Sequence, residues 1–346
     1  MREHVANAPS VDPFGVAGDP EMPSLAAALD PIESQRQLGQ CLRHLTGEYG
    51  TVHLMGIRVT RYKPGRRCVI EYDVEIEEPE APPEVITLLG KVRRLRSGKS
   101  GYRLLDALWN AGFGDDSRDG ISVPEPVGVV PEFRMWLQRK VPGRAASDLL
   151  AGPEGVELVR RIAEAAHKLH EARVPARRRH TMNDELRILH ERLPLVAREE
   201  PRWARRIDRL LYACDHLGAA TPEPAYRGVH RDFYADQVIV DGGRLYLIDF
   251  DLYCEGDPAL DIGNFLGHIT EHGLRTFGDC VALADLERAM EERFVGLSGG
   301  ATRAAVRAYA TLTLARHIHL STMFEERRPF TESLLELCED RLGSRC

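Results

Sequence analysis

No run of about 18 consecutive apolar residues occurs in this chain of 346 residues, so no ordinary membrane-spanning helix is expected. Cysteine is sparse and scattered, with seven thiols at positions 41, 68, 214, 254, 280, 338 and 346 and no C-x-x-C pair. That pattern argues against a disulfide framework and a thiolate zinc site, and it suits reduced thiols. An excess of positive charge is also missing. Lys and Arg number 46 against 53 Asp and Glu, and the net charge of −7 offers no chain-wide attraction to a nucleic-acid backbone. Residues 1–23 lack the apolar run or basic leader of a targeting peptide and read as a flexible tail. A soluble, cytoplasmic protein that binds neither nucleic acid nor membrane is the expectation.

With 43% apolar and 29% charged residues, the chain can bury one large core or two modest ones. Two halves are expected after the tail, residues 24–141 and 142–346. Apolar residues at helical spacing run from Leu25 to Leu45 with an interruption near Pro31. From Val52 the period becomes two, giving strands over Val52–Tyr62 and Cys68–Ile76 joined by Lys63-Pro64-Gly65-Arg66-Arg67. A third strand spans Val85–Arg93, and a helix follows over about Tyr102–Ala111. Strands near Glu125–Val130 and Phe133–Lys140 close this half. Beyond Val141-Pro142-Gly143 the pattern is helical: Val156–Ala172, then Asp184–Leu217 with breaks at Pro194 and near Pro201, and finally three helices over 283–297, 301–324 and 330–342. A short two-strand insert interrupts these helices.

The insert holds the chemistry. Val229-His230-Arg231-Asp232 is followed five residues later by Gln237, and the apolar strand Leu245-Tyr246-Leu247-Ile248 ends at Asp249. Asp232 could take or orient the proton of a hydroxyl. A carboxylate at the mouth of an apolar strand offers the oxygen ligand that a hard cation needs, and Asp251 shares its face if the strand continues. Lys91 stands in the otherwise apolar Leu88-Leu89-Gly90-Lys91-Val92, where an ammonium needs a partner such as phosphate oxygens or an outlet to water.

This ordered set, with Gly256-Asp257-Pro258-Ala259-Leu260-Asp261, resembles the catalytic and metal-binding segments of the aminoglycoside phosphotransferase and choline kinase-like family. The strong resemblance covers about Tyr226 to Leu266. It implies an α+β, bilobal protein kinase-like fold: a five-stranded antiparallel sheet with one inserted helix, then a mainly helical lobe. It also implies an ATP- and Mg²⁺-dependent transfer of the γ-phosphoryl group to a hydroxyl of a small molecule, with an amine-bearing compound as one option for the acceptor. By this resemblance Asp232 is the base and His230 orients its loop. Asp249 is the principal metal ligand, with Gln237 and Asp251 as further ligands, and Asp257 and Asp261 support the loop. Lys91 and Arg66 would meet phosphates, Arg139 and Val141 would offer backbone groups to adenine, and Ile239 and Ile248 would form its apolar floor.

Two departures stand out. Gln237 occupies a position where the family usually has Asn, and the helix after Lys91 carries Asp106 but no Glu. They motivate the alternative of a nucleotide-binding pseudokinase without turnover. A protein kinase is a further alternative, disfavoured because only a dozen residues follow Asp249 before the next supporting motif. The acceptor, the choice between ATP and GTP, and the oligomeric state are not legible.

Overall fold

The computed structural model describes all residues except 1–7, 47–49, 79–80, 95–98, 301 and 345–346. The chain divides into two compact units, Met1–Pro142 and Gly143–Cys346. In the first unit the strands are β1 (Ser10–Val11), β2 (Thr51–Lys63), β3 (Arg67–Glu77), β4 (Glu84–Arg93), β5 (Ile121–Ser122), β6 (Pro126–Val130) and β7 (Met135–Arg139). The helices are α1 (Ser24–Leu29), α2 (Pro31–Cys41), α3 (Arg43–Thr46) and α4 (Lys99–Leu108).

Five strands form the antiparallel sheet, in the order β2-β3-β4-β7-β6, and β1 adds a parallel edge to β2. Alternation of apolar residues builds this sheet, with two bulges in β2. In β3, Cys68, Ile70, Tyr72, Val74 and Ile76 all point into one core with Leu25, Leu38, Leu42 and Leu88. The buried Tyr72 hydroxyl donates to Ala28 O at 2.8 Å, so its burial leaves no unpaired donor. Asp30 caps α2 by accepting from Glu33 N–H, and Pro31 takes the first helical position, which explains the interruption seen in the sequence.

The expected flexible tail needs correction. From residue 8 onward it packs: Val16 is fully buried, Met22 is 3% exposed, and the Asp19 carboxylate accepts from Tyr62 OH and Gly65 N–H at 2.8 and 2.9 Å. A few apolar anchors and one carboxylate bind a segment whose overall composition reads as a linker. Residues 1–7 of that expectation lie outside the described residues.

The second unit contains β8 (Arg144–Ala145), α5 (Gly155–Glu171), α6 (Met182–Glu199), α7 (Ala204–Ala220), β9 (Arg227–Val229), β10 (Val238–Asp241), β11 (Arg244–Leu247), β12 (Cys254–Gly256), α8 (Pro258–Phe277), α9 (Ala284–Ser298), α10 (Thr302–Thr322) and α11 (Thr331–Arg341). α5 packs on α9, α8 on α10, and α10 also on α6 and α11. Glycine sets the α8–α10 distance. A Cβ at Gly263 would lie 2.5 Å from Tyr309 Cβ, and one at Gly267 would lie 2.7 Å from Thr313 Cγ2.

Pro194 does not end a helix, contrary to expectation, since α6 runs through it from a Thr181–Asp184 capping box to Glu199. The tertiary packing of α6 on α7 and α10 outweighs the local cost of the missing N–H. No helix among the described residues is long and apolar enough to cross a membrane.

Candidate active site

The insert is built by antiparallel pairing of β10 with β11 and of β10 with β8, while β9 pairs antiparallel with β12. One face of β10–β11 buries Val238 and Leu247. The other presents Ile239 opposite Tyr246, and alternation puts the half-buried Ile248 on that same face.

Between β9 and β10 runs the loop that carries Asp232. Its backbone is clamped from α8: the fully buried Asp261 carboxylate accepts from His230 N–H at 2.8 Å and from Arg231 N–H at 2.7 Å. The same carboxylate meets His170 Nε2 of α5 at 2.9 Å. His230 Nε2 lies 2.8 Å from Ile248 O, and because a carbonyl only accepts, this nitrogen carries the proton. The His230 ring is enclosed by Phe233 and Phe250.

A second anchor follows Asp232. Asn264, one helical turn beyond Asp261, donates to Phe233 O at 3.0 Å. Its own side-chain oxygen accepts from Arg316, which also reaches Glu185 at 3.4 Å, and Glu185 pairs with His180 at 2.6 Å. Burial pushes the Glu185 carboxyl up, but the His180 hydrogen bond and the Arg316 charge override it and hold the group below the usual carboxylate range.

Two of the four left-handed non-glycine positions among the described residues lie in this site. Arg231 has φ 71° and Asp249 has φ 60°, a region that costs an ordinary residue about 1–2 kcal/mol. The clamp on Arg231 N–H offsets the first. At Asp249 the strand ends, and residues 250–252 turn into a short 3₁₀ segment. Asp251 therefore does not share a strand face with Asp249, which corrects the expectation drawn from alternation. Gln237, 6% exposed, closes a short turn: its N–H donates to Tyr234 O and its carbonyl accepts from Ile248 N–H at 3.0 Å. The turn thereby fastens the segment after Asp232 to the strand before Asp249. Both the Asp232 and the Asp249 carboxylates are half-buried, and neither has a hydrogen-bond or ion-pair partner among the described residues.

The first unit places its own site candidates as follows. Lys91 sits opposite Trp136 across β4 and β7, with its ammonium 5.0 Å from the indole centroid. Helix α4 approaches that indole through Gly101, and Asp106 accepts from Asn110. Arg66 is exposed in the β2–β3 turn, where the Gly65 N–H is already given to Asp19. Arg139 N–H is likewise given to Glu125 O at 2.9 Å, so this backbone donor is not open to adenine as expected. Its guanidinium reaches Glu84 and Glu125, and Val141 follows β7 in a half-buried position.

Sequence reasoning did not single out Asn264, Arg316, Glu185 or His180. Asn264 carried a weak signal, lying three residues after Asp261 on the same helix face. The link of His170 to Asp261 was not foreseen either. Among the described residues no group of three or more His, Cys, Asp or Glu side chains is placed to hold a metal. A hard cation held by one carboxylate, an amide oxygen and phosphate needs no such group.

Residues 93–305 match the phosphotransferase enzyme family. No curated protein matches the sequence. Among solved structures, a choline/ethanolamine kinase family protein from Mesorhizobium loti is similar at 14% identity and TM-score 0.52, over 90% of this chain and 94% of that one. Aminoglycoside phosphotransferase APH(4)-Ia is similar at 16% identity and TM-score 0.54, over 90% and 99%. Spectinomycin phosphotransferase APH(9)-Ia, solved with ADP and spectinomycin, is similar at 10% identity and TM-score 0.55, over 88% and 98%. At these identities the likeness concerns the fold, and it is that of α+β kinases with a sheet unit and a helical unit.

Proposed function

Because this chain belongs to the phosphotransferase enzyme family, we propose that it moves the γ-phosphoryl group of ATP to a hydroxyl of a small molecule, with Asp232 as the catalytic base. One observation carries this reading: an unpartnered, half-buried carboxylate on a loop whose backbone is fixed on both sides of it by Asp261 and Asn264. Phosphoryl transfer asks a protein mainly to position an acceptor oxygen and to balance charge. A carboxylate with no internal partner is free to accept the acceptor's proton, and its rigid frame fixes the direction from which the hydroxyl comes. His230 acts on the frame and not on the proton, since its Nε2 hydrogen is spent on Ile248 O.

The donor set suits Mg²⁺. Asp249, unpartnered and held at a fixed angle by its left-handed backbone, would hold the ion, with the Gln237 amide oxygen and Asp251 as further ligands. Such an ion supplies positive charge to the phosphate oxygens when bound. Lys91 and Arg66 are the proposed phosphate contacts. Ile239 and Ile248, half-buried on one strand face, are the proposed apolar surface for the base, and Val141 and the remaining backbone group of Arg139 are proposed polar contacts to it. An amine-bearing acceptor is favoured by the chain's net charge of −7.

The test is ADP release across a panel of hydroxyl-bearing metabolites and aminoglycosides. Asp232→Asn should lower turnover about 10²–10⁴-fold on any acceptor found. Undiminished transfer by that variant would sink the assignment.

A further inference from the structure

A cavity of about 630 Å³ lies within the second unit, a size typical of small-molecule sites. Its walls are α5, the segment 222–227 that leads into β9, the start of α8, the end of α9 and the first turn of α10. Asp232, Gln237 and Asp249 do not line it.

Among the charged side chains facing this space, acceptors outnumber donors. Glu171, Glu223 and Asp257 contribute three carboxylates against one arginine, Arg227, and that guanidinium is drawn to Glu171 at 3.6 Å. Burial keeps His167 below the usual imidazole range and therefore neutral at pH 7, and its Nδ1 lies 3.1 Å from Ser298 Oγ. Asp257 is only 3% exposed. It accepts from Ala259 N–H and from the Tyr309 hydroxyl and has no ion-pair partner among the described residues.

A second, independent feature points the same way. His170, 1% exposed, forms part of the wall, and its Nε2 must donate to Asp261, because a carboxylate can only accept. In the neutral imidazole its Nδ1 carries a lone pair, and that atom is buried without any hydrogen-bond partner. The buried side of the cavity thus combines a carboxylate that has no ion-pair partner with an imidazole nitrogen that has no hydrogen-bond partner. Neither a phosphate nor a carboxylate ligand would find donors enough here. A ligand rich in N–H donors and carrying positive charge satisfies both groups.

We propose that this cavity binds a small aliphatic di- or triamine in its ammonium form. Asp257 and His170 form the buried acceptor side, and Glu171 and Glu223 form the outer one. The site is separate from the phosphoryl-transfer residues and does not depend on their assignment.

Calorimetric titration of the full chain without nucleotide tests this, using 1,4-diaminobutane and spermidine at matched ionic strength. Neither probe has a hydroxyl, so neither can serve as a phosphoryl acceptor. Saturable one-to-one binding is expected, with no heat from 1,4-butanediol. Glu223→Gln should weaken binding about tenfold, the loss expected of one charge-assisted hydrogen bond, and Arg227→Gln should tighten it by removing a competing cation. Asp232→Asn should leave affinity unchanged. In the unaltered protein the ring NMR signals of His167 and His170 should move with the same midpoint as the heat. The proposal is overturned by absence of saturable binding, by equal binding of the diol, by indifference to both charge variants, by still histidine signals, or by loss of binding in Asp232→Asn, which would place the amine at the phosphoryl-transfer site.

Discussion

Replacing Asp261 with Asn changes one atom and should dismantle the catalytic-loop clamp. The carboxylate receives three N–H groups while fully buried: His230 N–H and His170 Nε2 at one oxygen, Arg231 N–H at the other. Asparagine retains a single acceptor oxygen. If that oxygen faces His230 and His170, its NH₂ group confronts the Arg231 N–H, donor against donor. If the amide flips, two donors are confronted and the result is worse. The better orientation still forfeits one bond to a charged acceptor, strands a buried donor and weakens the two remaining bonds. The expected cost is about 2–4 kcal/mol. Arg231 would also lose the contact that offsets its left-handed backbone. Urea denaturation should show a lower midpoint with an unchanged slope, and hydrogen exchange should show the His230 and Arg231 amides losing protection ahead of the amides of β9. Wild-type protection at both amides together with an unshifted midpoint would refute the clamp.

Further outcomes follow from other parts of the structure. Asp232→Asn should shift stability by no more than about 0.5 kcal/mol, since the carboxylate has no partner to lose, and a thermal melt checks this. Gly263→Ala should destabilise by about 1–3 kcal/mol by forcing α8 from α10, and a wild-type denaturation midpoint would disprove that contact. Deleting residues 1–22 exposes the sites of Val16 and Met22 and should cost about 3 kcal/mol, measurable by the same titration. His317, 2% exposed and edge-on to His268, is pushed down to about 3 by burial and by the charges of Arg316, Arg327 and Arg275, against an ordinary value of 6.5. The unfolded chain therefore binds the extra proton between these values, and this contribution to stability is lost as pH falls below about 6.5. His317→Phe should lose less stability than wild type between pH 7 and 5, and identical pH slopes would contradict the assignment.

The parts of the fold that were legible in the sequence are those with local physical causes. β3 reads directly because Cys68, Ile70, Tyr72, Val74 and Ile76 alternate without exception, and the α1–α2 break reads from Asp30-Pro31, which supplies a cap and a first-turn residue. The phosphotransferase resemblance rested on residues close in sequence, Asp232 through Asp261. What escaped was set by distant partners. Arg316 reaches Glu185 across 131 positions and Asn264 across 52, separations at which periodicity says nothing. The N-terminal segment looked loose because its composition is that of a linker, yet Asp19 finds Tyr62 and Gly65 more than 40 residues away. Asp251 was misplaced because a left-handed residue at 249 cannot be foreseen from a run of alternating apolar residues.

The clamp from α8 also bears on how this protein comes to be active. His230 and Arg231 depend on a carboxylate 31 and 30 residues further along the chain, and the kink they adopt is unfavourable until that carboxylate arrives. The loop therefore acquires its shape only once α8 has docked. In a mutational map of the folding transition state, substitutions that break the clamp should accelerate unfolding while leaving the folding rate nearly unchanged. A chain stalled before α8 docks would hold every residue of the Asp232 loop and lack its geometry.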